Sequence, residues 1–307
     1  MSLAGAQIKL GVALNRDGRI CIPLKGSPST HILKPDIQRL WGSVQNEAFC
    51  LALAKRMGLP VIDVTTGTAG KRSYLLVKRY DRVEIDGRWR RIHQEDFCQA
   101  TGKPPTAKYE ANQTGIRGPT LKDMFDTTRR LTPPTNIVRL LDMLVFNVLA
   151  CNMDAHAKNY SLMIEASTVS LAPLYDVMCG ETWENVTKNM AQTIAGKSRG
   201  DHLKGRHWQR FAKECGLNPR QVLARIEALA ESASDHAEEA AADVAAMPAG
   251  THPLLKQAVE AVRKRARSII NQLNETEAEP TAESGASSKN TTTPDEEETP
   301  TSTISKK

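Results

Sequence analysis

Ile137, Leu140, Leu141, Leu144, Val145 and Val148 recur at the spacing of one helix face, and so apolar a stripe must be buried against other elements. This helix runs almost directly into the polar string Asn152-Met153-Asp154-Ala155-His156-Ala157-Lys158-Asn159. A buried helix that ends in a cluster of acid, amide, imidazole and amine places chemistry at the edge of the core. The elements around it must form layers that cover the helix and leave the loop open.

Upstream, the pattern is that of strands. Ile8, Leu10, Val12 and Leu14 alternate with polar or small residues, Asp17-Gly18 marks a hairpin, and Ile20 and Ile22 continue the alternation,. Thr30 to Lys34 reads as a third strand ended by Pro35, and Gln45 to Met57 as a helix ended by Gly58,. Val61 to Val64 and Tyr74 to Val77 read as a strand pair around Gly67 and Gly70, and Asp86-Gly87 as another hairpin turn. Downstream, residues 202–215, 219–245 and 252–273 read as helices, and Ser161 to Ile164 with Val169 to Leu171 as a short hairpin. Trp41, Trp183 and Trp208 are expected to be packing residues. The fold class is therefore α+β, with a β-rich lobe, a mainly helical lobe and a cleft between them.

Composition narrows the partners. No run of apolar residues is long enough for a membrane helix, and no signal-peptide pattern opens the chain,. The six cysteines are scattered without a C-x-x-C pair, which fits buried, reduced thiols in a cytoplasmic protein,. From Glu275 onward eight acidic residues face three lysines, so this segment is net −5 and the rest about +11 of the total +6. A basic body attracts phosphate-bearing ligands, nucleic acid or an acidic partner. Residues 275–307 are too poor in apolar groups to offset their ordering entropy and are expected to be a disordered tail,.

The order of polar motifs is that of a protein kinase. Asp154 and Asn159 stand in the D-x-x-x-x-N spacing of a catalytic loop, where the Asp takes the acceptor proton and the Asn holds magnesium,. Asp176, in Pro173-Leu174-Tyr175-Asp176, is placed to bind the magnesium that bridges ATP phosphates,. Lys34 closes an apolar strand as a phosphate-pairing lysine does, and Glu47 follows on the helix that could orient it,. Ser2, Ala4, Gly5, Ala6 and Gln7 lie in a small-residue loop whose backbone could approach phosphates. Lys78 and Tyr80 leave a strand where a hinge would meet adenine. His156 sits inside the catalytic loop and is expected to pin it.

Taken together, Ser2-Leu-Ala-Gly-Ala-Gln7, Ser29-Thr-His-Ile-Leu-Lys34, Asn46-Glu47, Gln94-Glu-Asp96, Asp154-Ala-His-Ala-Lys-Asn159 and Leu174-Tyr-Asp176 resemble the HipA family of toxin kinases. The resemblance implies a protein-kinase-like two-lobed fold. Its β-rich N-lobe would span residues 1–92, with the phosphate loop, ATP lysine and hinge. Its helical C-lobe would span 93–274, with the catalytic and metal loops. It also implies a serine/threonine kinase using ATP and Mg2+ that phosphorylates an aminoacyl-tRNA synthetase, the glutamyl enzyme foremost. Self-phosphorylation would fall on the serine matched by Ser2, and a HipB-like antitoxin would link the protein to DNA indirectly. The chain begins almost at that serine, which resembles the shorter toxins whose N-terminal subdomain is a separate small protein. A small-molecule phosphotransferase, or an inactive kinase-like binding partner, is the alternative.

Overall fold

The computed structural model describes residues 8–273; the loop of Ser2 to Gln7 and the tail 275–307 lie outside the described residues. β1 (Leu10–Leu14) turns through Asp17-Gly18 into β2 (Ile20–Cys21), setting Leu14 opposite Ile20. β3 (His31–Pro35) lies antiparallel to β1. α1 (Ser43–Arg56) follows, and Gly58 at φ 75° lets the chain leave the helix in a left-handed turn,. β4 (Val64–Ala69) and β5 (Arg72–Lys78) complete an antiparallel sheet of order β2-β1-β3-β5-β4. Val12, Ile32, Leu75 and Val77 are buried on this sheet. Helix α1 is buried on nearly every side because it packs on β4 and β5 and also on two later helices.

β6 (Arg82–Ile85) and β7 (Arg88–Arg91) form a separate hairpin. Its turn residues, Asp86 at φ 52° and Gly87 at φ 73°, are both left-handed, as a two-residue turn between twisted strands requires,. β8 (His93–Asp96) leads into the short helix α2 (Phe97–Ala100). Asp96 caps that helix, its Oδ1 accepting from Gln99 N at 3.1 Å,. α3 (Leu121–Leu131) begins at Thr120, whose hydroxyl accepts from Asp123 N at 3.1 Å. α4 (Thr135–Leu149) is the central apolar helix. β9 (Ser161–Ile164) and β10 (Val169–Leu171) form the expected hairpin, and β8 adds to it as a third strand. β11 (Asn189–Ile194) and β12 (Lys197–Arg199) form a further hairpin before α5 (Gly205–Glu214), α6 (Pro219–Ala245) and α7 (Leu254–Leu273).

Helix α6 packs on α7 and α1. Ala230, Ala233, Ala237, Ala240 and Val244 are buried on α6 in a stripe repeating every three to four residues, and Ala258, Val259, Val262 and Ala266 are buried on α7. Small residues at this seam let the two helix axes approach closely. The α+β expectation therefore holds, with several local departures. Val61 makes only a parallel bridge to Leu174, and the strand itself runs from Val64 to Ala69. Gly67, expected in the turn, lies inside β4 opposite Tyr74, whose ring fills the space a side chain at 67 would occupy. Residues 200–202 form a 3-10 turn, and α5 starts at Gly205. Trp183 and Trp208 are buried as expected, but Trp41 is half exposed and rests on the His252 ring at 4.4 Å. Five of the six thiols are buried, with Cys21 exposed, and all are free. Among the described residues no helix is long and apolar enough to cross a membrane.

Candidate active site

Lys34 lies on β3 with 2% of its side chain exposed, and an ammonium that deep must be paired,. Its Nζ donates to Glu47 Oε1 at 2.7 Å and to Asp176 Oδ1 at 2.8 Å. The structure thus joins a strand, a helix and a loop at one nitrogen, with Asp176 standing 142 positions from Lys34 in the sequence. Burial alone would lower the Lys34 pKa, but the two carboxylates outweigh it and raise it. One cation facing two carboxylates leaves an excess negative charge, and the pair responds unequally. Burial pushes Glu47 above the usual carboxylate range, with Lys34 offsetting only part. Burial also acts upward on Asp176, yet Lys34, with Lys9 and His156 behind it, holds that carboxyl down to about 2.

Local geometry explains how Asp176 reaches the lysine. Leu174 N donates to Pro60 O at 2.8 Å and Ile62 N to Leu174 O at 3.1 Å, tying the segment after β10 to the chain before β4. Asp176 then adopts φ 59°, a left-handed conformation that Asp and Asn tolerate better than most residues,. Next to Glu47 on α1, Asn46 accepts from Cys179 N at 2.7 Å and donates to Thr182 Oγ1 at 2.9 Å.

The 152–159 loop follows α4 and is held from beneath. Asn147 Nδ2 donates to Tyr160 Oη at 2.9 Å, Asn152 Nδ2 to Asn147 Oδ1 at 2.7 Å, and Asp154 N to Asn152 Oδ1 at 3.1 Å. Asn159 Nδ2 closes the loop on Asp154 O at 2.8 Å. Lys158 pairs with Asp96 at 2.5 Å, so the Gln94-to-Asp96 stretch both caps α2 and anchors the loop. The Asp154 side chain is 56% exposed and its Oδ1 accepts from Tyr109 Oη at 2.5 Å. His156 is buried, with its ring edge-on to Tyr109 at 5.3 Å. Burial lowers its pKa against the pull of Asp154, which favours a neutral imidazole.

Of the other residues singled out in the sequence, Tyr80 stacks on Tyr175 at 5.6 Å and donates its hydroxyl to Gln94 Oε1. Lys78 is exposed at the end of β5, its N–H bonded to Asp63 O at 2.9 Å. Ser2, Ala4, Gly5, Ala6 and Gln7 lie outside the described residues. Three residues near the site went unnoticed in the sequence. Lys9, half-buried, lies within the electrostatic reach of Asp176, Lys34, Glu47 and Lys108. Lys108 sits 5.0 Å over the Tyr109 ring. Their only sequence signal was a cation beside a small-residue loop and a Lys-Tyr pair with no motif around it.

Among the described residues no group of three or more His, Cys, Asp or Glu side chains is placed to hold a metal ion. Magnesium bound with a nucleotide needs only one or two protein oxygens, the rest coming from phosphate and water. Asp176 Oδ2 and the Asn159 amide oxygen take no hydrogen bond among the described residues. These are hard oxygen donors, one of them from a carboxylate held in its charged form, and fit such a cation.

A putative kinase of Sinorhizobium fredii, Y4mE, is 41% identical over 238 residues, covering 76% of this chain and 56% of the relative. The serine/threonine-protein kinase toxin HipA of Shewanella oneidensis is 32% identical over 234 residues, covering 73% and 53%. The chain thus spans about half the length of the curated relatives it matches. Among solved structures, the Shewanella oneidensis complex of HipA, HipB and operator DNA superposes with a TM-score of 0.79 at 26% identity, over 89% of this chain and 66% of that one. The Helicobacter pylori proinflammatory kinase CtkA superposes at 0.56 and 13% identity, over 86% and 95%, a likeness of fold. The family model that matches residues 1–237 is the HipA-like C-terminal domain, and the chain belongs to that family.

Proposed function

We propose that the chain is an ATP-dependent serine/threonine protein kinase of the toxin type. The observation that carries this reading is Lys34, buried and held between Glu47 and Asp176. A fixed ammonium beside a carboxylate of lowered pKa is what a triphosphate and its cation require. In this reading Lys34 orients the phosphates, and the small residues from Ser2 to Gln7 are the phosphate-binding segment expected from the sequence. Lys78 and Tyr80 border adenine, and His156 keeps the loop in shape beside the nucleotide. The β-rich N-lobe of residues 1–92 carries the nucleotide and the helical C-lobe of 93–274 the reaction.

Asp154, exposed at the mouth, takes the proton of the acceptor hydroxyl. The hydroxyl oxygen bonds to the γ-phosphorus as the bond to the β–γ bridging oxygen breaks. Asn159 and Asp176 would hold Mg2+, which supplies charge neutralisation on the phosphates when bound. The substrate is an aminoacyl-tRNA synthetase, with the glutamyl enzyme first in line, and Ser2 is the site of self-phosphorylation. The family membership and the Shewanella complex support a HipB-like partner, through which contact with DNA is indirect. A small separate N-subdomain-like protein is a second partner, and the protein acts in the cytoplasm.

The test is intact-mass spectrometry of wild type and Asp154→Asn after incubation with Mg-ATP, with and without a panel of tRNA synthetases. A phosphate gained by the protein or one synthetase with wild type only is the expected result. ATP turnover with small hydroxyl compounds and no mass gain on any protein would move the assignment to a small-molecule phosphotransferase.

A further inference from the structure

A cavity of about 570 Å³ opens beside residues 152–154 of the loop after α4, and Asp154 forms part of its wall. Lys34, Glu47 and Asp176 take no part in lining it. The cavity therefore adjoins Asp154 without including the lysine cluster, so a group seated in it reaches the proposed base and not the proposed phosphate site,.

Its walls come from segments other than β3 and α1. One wall is the β11–β12 hairpin, through Met190 and Ala191; another is the turn after Asp176, through Met178 and Trp183. The third is the 109–111 loop, fixed by Glu110. That buried carboxylate accepts from Thr193 N at 2.8 Å and Thr193 Oγ1 at 3.0 Å, and pairs with Arg117 at 2.5 Å. Glu110 N in turn donates to Ala191 O at 3.0 Å. The hairpin and the loop are thus locked together, and Tyr109 on that loop reaches Asp154.

The lining chemistry selects the occupant. Asp154 and Glu110 are the charged side chains in the wall, and Glu110 is fully engaged. Among the described residues no cation lines the cavity, which disfavours an acidic or phosphorylated segment there. Three methionines, Met153, Met178 and Met190, with Trp183 and Val186, offer a soft apolar surface that adapts to differently shaped side chains,.

Resting on the kinase reading above, we infer that this cavity is the acceptor-side specificity pocket: it receives an apolar side chain of the substrate polypeptide next to the phosphorylated hydroxyl. The hydroxyl then meets Asp154 at the rim while the neighbouring side chain is buried among the methionines.

The test uses the full chain with Mg-ATP and a proteome-derived peptide library, the phosphorylated sites being aligned by position. Wild type should favour apolar over glycine or acidic residues at one position near the acceptor, on the order of tenfold, the scale of apolar-pocket discrimination. Met190→Glu should move that preference to lysine or arginine at the same position. Asn189→Glu, at an exposed place on the rim, makes the same change without touching the interior. Phosphorylated peptides without an apolar preference, or a preference that neither variant alters, overturn the pocket while the kinase reading stands. Transfer to no peptide and no protein overturns both.

Discussion

The hydroxyl of Tyr109 donates to Asp154 Oδ1 at 2.5 Å, though the two residues stand forty-five positions apart in the chain. Under the kinase reading this is the place an acceptor hydroxyl must take, so the two hydroxyls compete. Tyr109→Phe keeps the ring against His156 and removes the donor. The KM for the acceptor should fall roughly threefold to tenfold, the worth of one ordinary hydrogen bond. Steady-state kinetics at saturating ATP reads this directly, and a rise in KM would mean that Tyr109 orients the carboxylate for the acceptor.

Asp154→Asn removes the proton acceptor from a side chain that is more than half exposed and buries nothing. Phosphoryl transfer should fall by about 10² to 10⁴. Stability in urea should stay within about 0.5 kcal/mol of wild type. A variant that unfolds would instead make Asp154 a structural residue.

Lys34→Met leaves Glu47 in the interior without its paired cation, beside a second carboxylate. Breaking a buried pair from one side costs about 3 kcal/mol or more. Glu47 already sits above the usual carboxylate range and rises further without the lysine. It can therefore take up a proton in the fold, so the deficit should be largest near pH 8 and shrink toward pH 5. Denaturation of both proteins across that range gives the answer; a deficit constant with pH would mean that Glu47 stays ionised.

Asp176 should govern part of the acid response. Its folded pKa of about 2 lies below the ordinary 3.8 because the lysine outweighs burial. The stabilisation is present above about pH 4 and lost as pH falls toward 2, and is worth roughly 2 kcal/mol. Asp176→Asn should flatten the stability curve in that window and abolish transfer. Asparagine suits the test because the residue is at φ 59°, where alanine would add backbone strain of about 1 kcal/mol,.

Much of this was legible in the chain because it depended on short periods. The stripe from Ile137 to Val148, the helices after residue 202, the 161–171 hairpin and the Asp86-Gly87 turn all state their structure locally. The convergence of Lys34, Glu47 and Asp176 could be suggested from motif order, but the sequence holds no distance. What escaped depends on partners far along the chain. β8 is a strand because β9, nearly seventy residues later, completes it, and β11 faces a loop fixed by Glu110. Tyr109 is one tyrosine among five until the fold sets it against Asp154. Helix α3 did carry a visible sign, Thr120 three residues before Asp123, but its apolar stripe is short.

Helix α1 holds Asn46 and Glu47 side by side. The first is bonded to the turn at Cys179 and Thr182, the second to the strand lysine. The same helix is wedged against α6 and α7. Any displacement of this one rod therefore loosens the lysine and the segment after Asp176 in a single stroke. The two halves of the site thus hang on one rod, and neither can be reset without the other.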